Sequence, residues 1–361
     1  MGKKASREKD SKEKGDTGLE SEDLLNQPDN SAFKQQRLPA WTPFLNAKNV
    51  LPTIYITGVF CISVGIFLLV IDGRVKEFQV DYTDGACQHC SLLREDWRNW
   101  TKPCTCTINF TLEESFQGDV FMYYGLRNYY QNHRQYGISR DNAQLLGLPR
   151  RLKTPSDSCQ PFNTDGNGNP IAPCGAVANS LFNDTFSLLF LPNTSCERTI
   201  SLLDRDITWW TDRNIKFRNP VPHNNLSAAF AGTVRPPNWQ KDIYTLGHGN
   251  NNGFVNEDFI VWMRTDAFPN FRKLYRYLDR KEEFVNGLPA GNYSIKIQYN
   301  YPVTAFGGRK EMILSTMSWM GSKNSFLGIA YCVTGALSII AGVLLTFVSL
   351  KFGKKRTAFK R

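Results

Sequence analysis

The chain reads as a membrane protein in which two transmembrane α-helices flank a mainly antiparallel β ectodomain, sandwich-like, with short helices and long loops. Two apolar runs predict the helices: Val50 to Ile71, 22 residues, and Phe326 to Leu350, 25 residues, neither holding a formal charge. A helix rises about 1.5 Å per residue, so each run is long enough for a hydrocarbon core about 30 Å thick. Between them lie 254 residues with seven cysteines and six Asn-x-Ser/Thr triplets, the texture of a secreted segment. Strand-like alternation within that segment is the third observation.

The elements follow in order. Residues 1–49 form an N-terminal tail with nine Lys/Arg and eight Asp/Glu. Its first 27 residues hold too few apolar positions to offset the entropy of ordering, which predicts disorder. Within them, Glu20-Ser-Glu-Asp-Leu24-Leu25 fits the acidic dileucine pattern read by sorting adaptors, and equally an acidic solvated tail with two stray leucines. From Asn30 to Pro43 the texture changes, and Phe33, Leu38 and Trp41 become apolar anchors on a cationic, Pro-broken stretch with Arg37. Juxtamembrane anchoring is the plain reading. Docking on the cytosolic surface of a partner is the sharper one.

Residues 50–71 are the first transmembrane helix, 72–325 the ectodomain, 326–350 the second helix and 351–361 a basic tail with six Lys/Arg and no acid. Lys34, Arg37 and Lys48 precede the first helix, whereas Asp72, Glu77, Asp81 and Asp84 follow it. The positive-inside rule therefore puts both termini in the cytosol. An apolar run this long, beginning at residue 50, is a poor cleaved signal peptide. The net charge of +10 sits largely beside the second helix, which favours anionic lipid headgroups over nucleic acid. All six triplets, at Asn99, Asn109, Asn183, Asn193, Asn225 and Asn292, lie between the helices and make glycosylation candidates.

In the ectodomain Tyr293, Ile295, Ile297, Tyr299 and Tyr301 alternate with polar residues, a half-buried strand begun by Gly291 and stopped by Pro302. Val120–Tyr124, Phe186–Leu191, Ile207–Trp210 and Phe259–Met263 are further strand expectations, rich in aromatic and branched residues. Phe271, Leu274, Tyr275 and Leu278 fall at i, i+3, i+4 and i+7, which predicts an amphipathic helix with a basic outer face.

Cys87-Gln-His-Cys90 and Cys104-Thr-Cys106 are the strongest local pattern. In a cytosolic protein they would suggest zinc with His89; in an oxidising lumen they are disulfides. Four cysteines allow three pairings, of which the nested one would staple a hairpin. Cys159 and Cys174 bracket a Pro/Gly/Asn loop and make a natural third pair. Cys196 is left over, as a free buried thiol or an intermolecular link, and Cys61 and Cys332 lie within the helices.

Catalytic patterns are scarce. The chain has four histidines and neither a Gly-x-Ser-x-Gly, a His-Glu-x-x-His nor a Gly-x-x-x-x-Gly-Lys motif. An EF-hand register with Gly253 at the sixth position places Phe259 where a carboxylate is required, so 250–258 reads as a turn entering a strand. The spans hold no ionisable Asp, Glu, Lys, Arg or His to mark an ion path. They do hold small residues, including Gly58, Gly65, Cys332, Ala336, Ser338 and Gly342, which either let partner helices approach or reflect ordinary tolerance of glycine.

Several ordered stretches carry a resemblance: Asn30–Pro43, Cys104-Thr-Cys-Thr-Ile-Asn109, Phe121-Met-Tyr-Tyr-Gly-Leu126, Tyr129-Tyr-Gln-Asn-His-Arg134, Ile171-Ala-Pro-Cys-Gly-Ala176, Trp209-Trp-Thr-Asp212, Phe217-Arg-Asn-Pro220, Asn256-Glu-Asp-Phe-Ile-Val-Trp-Met-Arg264, Phe271-Arg-Lys-Leu-Tyr-Arg276 and Ser318-Trp-Met-Gly321. From about residue 28 to 350 the chain resembles the accessory (beta) subunits of phospholipid flippases, the cell-cycle-control-protein-fifty or transmembrane-protein-thirty family. The resemblance implies a non-catalytic partner of a type-four P-type ATPase, acting as a heterodimer among membrane phospholipids. It implies roles in partner folding, export from the endoplasmic reticulum and support of the phosphoenzyme cycle during aminophospholipid translocation. It further implies residence in endoplasmic reticulum, Golgi, endosomes and plasma membrane, with no cofactor beyond N-linked glycans. The family's cysteine pairs carry over as Cys87–Cys106, Cys90–Cys104 and Cys159–Cys174, and its glycosylated asparagines as Asn109, Asn183, Asn193 and Asn292. Asn99, Asn225 and Cys196 look like additions. Phe33, Arg37, Leu38 and Trp41 are the partner-binding candidates. A receptor or adhesion ectodomain acting without an ATPase is the rival reading, and a lumenal enzyme a weaker one.

Overall fold

A computed structural model of the chain describes residues 30–39, 46–193 and 196–358, except the side chains of Trp97, Asn193, Cys196 and 353–358. The disorder and dileucine readings in 1–27, the anchor Trp41, and the side-chain roles of Asn193 and Cys196 lie outside the described residues. The elements are helix α1 (Ala47–Asp72), β1 (Glu77–Asp81), helix α2 (Gln88–Glu95), β2 (Thr105–Leu112), β3 (Phe116–Gln117), β4 (Val120–Arg127), β5 (Thr185–Asn193), β6 (Cys196–Thr199), β7 (Leu202–Leu203), helix α3 (Glu257–Met263), β8 (Phe271–Leu278), β9 (Gly287–Leu288), β10 (Gly291–Gln298), β11 (Arg309–Thr316) and helix α4 (Phe326–Ala358). Shorter helical turns in the connections are left unlabelled. The chain falls into two compact units, residues 1–58 with 337–361, and 59–336.

Both α1 and α4 are long and apolar enough to cross a membrane. They extend a little beyond the apolar runs, and α4 continues past Leu350 to Ala358. Within the first unit the Tyr55 and Thr346 hydroxyls are 3.0 Å apart, and the Tyr55 ring lies where a Cβ on Gly342 would stand 3.1 Å away. Within the second unit a Cβ on Gly65 would meet Cys332 Sγ at 2.5 Å and the Cys332 and Gly328 backbone within 3 Å. Gly65, Gly328 and Gly342 thus serve approach between the chain's own helices; for Gly65 and Gly342 the sequence leaves open partner helices or ordinary tolerance of glycine.

In the second unit a five-stranded sheet runs β1-β11-β4-β8-β7 and a four-stranded sheet β2-β10-β5-β6, with β3 and β9 as a separate pair. All of these pairings are antiparallel. Aromatic rings bridge the sheets: Phe78 to Phe110 at 4.4 Å and Phe186 to Tyr275 at 5.0 Å. The sheets therefore pack face to face as a sandwich, with the apolar core between them. The alternation expected here holds in part: Tyr293, Ile295 and Ile297 are fully buried and Asn292, Lys296 and Gln298 exposed, but Ser294 is buried as well and β10 ends at Gln298, short of Tyr301.

Three sequence expectations are corrected. Phe271–Leu278 is strand β8, not a helix. Tyr123 opposes Leu274 while Met122 opposes Arg276, so Tyr275 is one extra residue, a bulge. A bulge shifts the phase of alternation by one. The buried positions accordingly read 273, 275 and 278, so simple alternation is lost, and Phe271 and Leu274 of the expected helical face are only half-buried. Phe259–Met263 is helical, in α3, not a strand. The Asn256 side chain accepts a hydrogen bond from Phe259 N at 3.0 Å, and Glu257 and Asp258 occupy the first turn, both of which favour a helix start. Buried on most sides, this helix needs no polar face. Ile207–Trp210 forms no strand, because Glu257 takes its backbone instead: Glu257 Oε2 accepts from Ile207 N at 2.8 Å and Thr208 N at 3.2 Å.

The cysteines join as Cys87–Cys106, Cys90–Cys104 and Cys159–Cys174, with Cα separations of 5.2, 5.6 and 5.6 Å. The first two tie the α2 region to β2. His89 lies beside Cys90 and Cys104, but the bond between those sulfurs removes the thiolates that zinc would need.

Candidate partner interface

Exposed apolar residues carry the functional question among the described residues. Phe33 lies on a turn over residues 32–36, closed by Arg37 N donating to Ala32 O at 2.7 Å, and Leu38 follows it. Phe33 is 75 % exposed and Leu38 56 %, so this stretch presents two apolar side chains to its surroundings. The fourth candidate, Trp41, lies outside the described residues.

A second exposed apolar surface lies where the sequence predicts a strand. Trp209 and Trp210 are 66 % and 70 % exposed, and Ile215 is exposed beside them in the chain. Their platform is held from beneath. Glu257 is fully buried, and besides the 207–208 backbone it accepts Arg213 Nη1 at 2.5 Å. Asp212, also buried, is paired with Lys216 at 2.6 Å and Arg264 at 3.3 Å. The Arg264 guanidinium in turn lies 4.5 Å from the centre of the Trp209 ring. Two charged networks thus fix a short helical turn whose tryptophans point outward. The signal available in the sequence was the adjacent Trp pair itself, too bulky and apolar to leave exposed without use.

The sequons sit in different settings. Asn109 and Asn292 share the outer face of the four-stranded sheet, where Asn109 opposes Ser294 and Asn292 opposes Thr111. Asn183 is half-buried just before β5. Asn99 Nδ2 donates to Asp96 at 3.4 Å, and the Asn225 side chain caps a helical turn by accepting from Ala228 N at 3.1 Å.

One buried polar cluster ties the sheets together. Lys310 Nζ meets Asp184 Oδ2 at 2.6 Å with both side chains fully buried. Asp184 also accepts from the Tyr82 hydroxyl at 2.9 Å and Tyr301 N at 2.7 Å, while Lys310 donates to Tyr301 O at 2.6 Å and lies over the Tyr299 ring. Burial lowers the Lys310 ammonium to about 8, against the opposing pull of Asp184. Burial, and then the Asp184 charge, push the Tyr82 hydroxyl well above its ordinary range. Each charge has its partners, so the cluster is a structural joint.

The sequence model of the LEM3 (ligand-effect modulator 3) family / CDC50 family matches residues 68–355. The chain belongs to this family. Among its relatives, the bovine (Bos taurus) cell cycle control protein 50A is 52 % identical over 330 residues, covering 90 % of each chain. The human (Homo sapiens) cell cycle control protein 50B is 49 % identical over 333 residues, covering 90 % of this chain and 94 % of its own. A putative ALA-interacting subunit 4 of Arabidopsis thaliana is 36 % identical over 326 residues, covering 89 % of each. The CDC50 match takes in all three disulfides, the buried Lys310–Asp184 joint and the Trp209–Trp210 platform, and leaves the Phe33–Leu38 stretch outside its span.

Proposed function

We propose that the chain is the non-catalytic accessory subunit of a type-four P-type ATPase that flips phospholipids. The observation that carries this reading is membership of the CDC50 family, together with a plant relative named as an interacting subunit. The two-span architecture is consistent with it. The spans hold no Asp, Glu, Lys, Arg or His to serve an ion path, so the chain is suited to bracing another protein's transport route rather than supplying one.

In this reading both termini are cytosolic, and the subunit grips its partner in three layers. Residues 30–48, with Phe33, Arg37, Leu38 and Trp41, dock on the cytosolic side. Helices α1 and α4 pack on the partner's membrane domain. The glycosylated ectodomain caps its outer loops. The subunit assists partner folding and export from the endoplasmic reticulum, then works in Golgi, endosomes and plasma membrane. It alters the phosphoenzyme cycle of aminophospholipid transport by binding some states of that cycle more tightly than others. Affinity capture of the full chain in mild detergent, followed by mass spectrometry, is the test. Recovery of a P-type ATPase, lost on Arg37→Ala with Trp41→Ala, is expected. Efficient surface export with no ATPase recovered would favour the receptor reading and sink this one.

A further inference from the structure

A cavity of about 340 Å³ opens between the segment before β5, the 238–246 loop, α3 and β8. That is the lower end of the size range for small-ligand sites. Its lining is amphipathic: Trp239, Leu246 and Tyr275 supply apolar surface, and Asn238 and Gln298 supply amides. A pyranose ring asks for this combination, since its C–H faces are apolar and its edge carries hydroxyl groups.

Asn183 lines the same cavity and begins the triplet Asn183-Asp-Thr185. Its Oδ1 is buried without a hydrogen-bond partner, which is costly unless some further group supplies a donor. The attachment point is also held in place. Asp184 is locked by Lys310, Tyr82 and Tyr301, and Asn300 Nδ2 donates to Asn183 O at 3.1 Å. A group carried by Asn183 is therefore kept beside the cavity, with little freedom to swing into solvent.

We propose that this cavity seats the first N-acetylglucosamine of a glycan on Asn183, so that this sugar is an internal part of the ectodomain. The proposal rests on the reading that Asn183 is glycosylated. Transfer from a lipid-linked oligosaccharide diphosphate forms the bond from sugar C1 to Asn183 Nδ2 and breaks the bond from C1 to the diphosphate oxygen. The Nδ2 proton leaves with the diphosphate. The half-buried setting of Asn183 places transfer before the strand packs. Folding then lays the ring's apolar face against the aromatic lining, and its N–H and hydroxyl groups reach the orphaned Oδ1 and the amides. Asn292, exposed on β10 and not part of this cavity's lining, is the internal control.

The test uses the full-length chain in high-mannose form, in mild detergent, with site-resolved glycopeptide mass spectrometry. Native digestion with peptide N-glycosidase F is expected to release the Asn183 glycan more slowly than the Asn292 glycan by on the order of tenfold, because cleavage must wait for local opening. Endoglycosidase H, which leaves one N-acetylglucosamine, is expected to leave the melting temperature unchanged. Leu246→Trp, which fills the cavity, is expected to bring Asn183 release up to the Asn292 rate. An occupied Asn183 released as fast as Asn292 in the unaltered chain overturns the seat while leaving glycosylation intact. An unoccupied Asn183 overturns both.

Discussion

Lys310 and Asp184 meet inside the ectodomain with no water-exposed surface on either side chain, one on β11 and the other just before β5. They couple the two sheets by charge where the surrounding contacts are aromatic. Removing one partner strands the other as an uncompensated buried charge, so Lys310→Met or Asp184→Asn should each destabilise the chain by about 3–5 kcal/mol. The double variant should lose less than the sum of the two. Chemical denaturation in a double-mutant cycle measures this, and additive losses would contradict the coupling.

The same pair predicts a pH dependence. Lys310 titrates near 8 in the folded chain and near 10.5 when unfolded. Between those values the unfolded chain binds the extra proton, so this group's contribution to stability rises with pH. Buried tyrosines oppose it above about 10, because Tyr82 and Tyr124 stay neutral in the fold while their unfolded counterparts ionise. The stability difference between the unaltered chain and the Lys310→Met, Asp184→Asn double variant should therefore widen from pH 8 to 10. A flat difference across that window would count against the depressed ammonium.

The Trp209–Trp210 surface separates binding from folding. Trp209→Ala and Trp210→Ala remove exposed rings, so stability should change by roughly 0.5 kcal/mol or less for Trp210. Trp209 should cost slightly more through its Arg264 contact. Capture of an ATPase should fall for both if the platform is an interface, with losses on the order of 2 kcal/mol for a buried hot spot. Unchanged capture with both substitutions would assign the surface another role.

Gly65→Ala tests the helix approach within the second unit. The new Cβ would overlap Cys332 Sγ, but also the Cys332 and Gly328 backbone. The cost should be about 1–3 kcal/mol, as for other overpacked contacts. Cys332→Ala should fail to rescue it, since shortening the side chain leaves the backbone in the way. Thermal denaturation in detergent reads both, and full rescue would show that sulfur alone sets the distance.

Much of the fold was legible in particular residues. The two apolar runs, and the inward-facing Tyr293, Ile295 and Ile297, follow from local rules, although Ser294 between them is buried too. Where reading failed, the deciding group lay far away in sequence or was a single inserted residue. Glu257, fifty positions from Ile207, claims a backbone that looked like strand. Asn256, one polar cap, turns the branched and aromatic run after it into a helix. Of the candidate interface, the Phe33–Leu38 stretch was visible because its apolar residues interrupt a polar tail. The Trp209–Trp210 pair stands out in the sequence, but its local pattern points to a strand where the chain forms a helical turn. The Lys310–Asp184 joint could not be foreseen, because neither residue's neighbours in sequence say that it is buried.

The extra residue at Tyr275 acts as a parity bit for strand β8. Before it, odd-numbered positions face the core; after it, even-numbered ones do. Deleting Tyr275 itself would remove the offset and leave Leu278 facing inward on a regular strand. Deleting a residue after it, with the bulge kept, would turn Leu278 outward and expose an apolar end beside β7. The strand can thus shorten by one only at the bulge, a constraint that no individual side chain reveals.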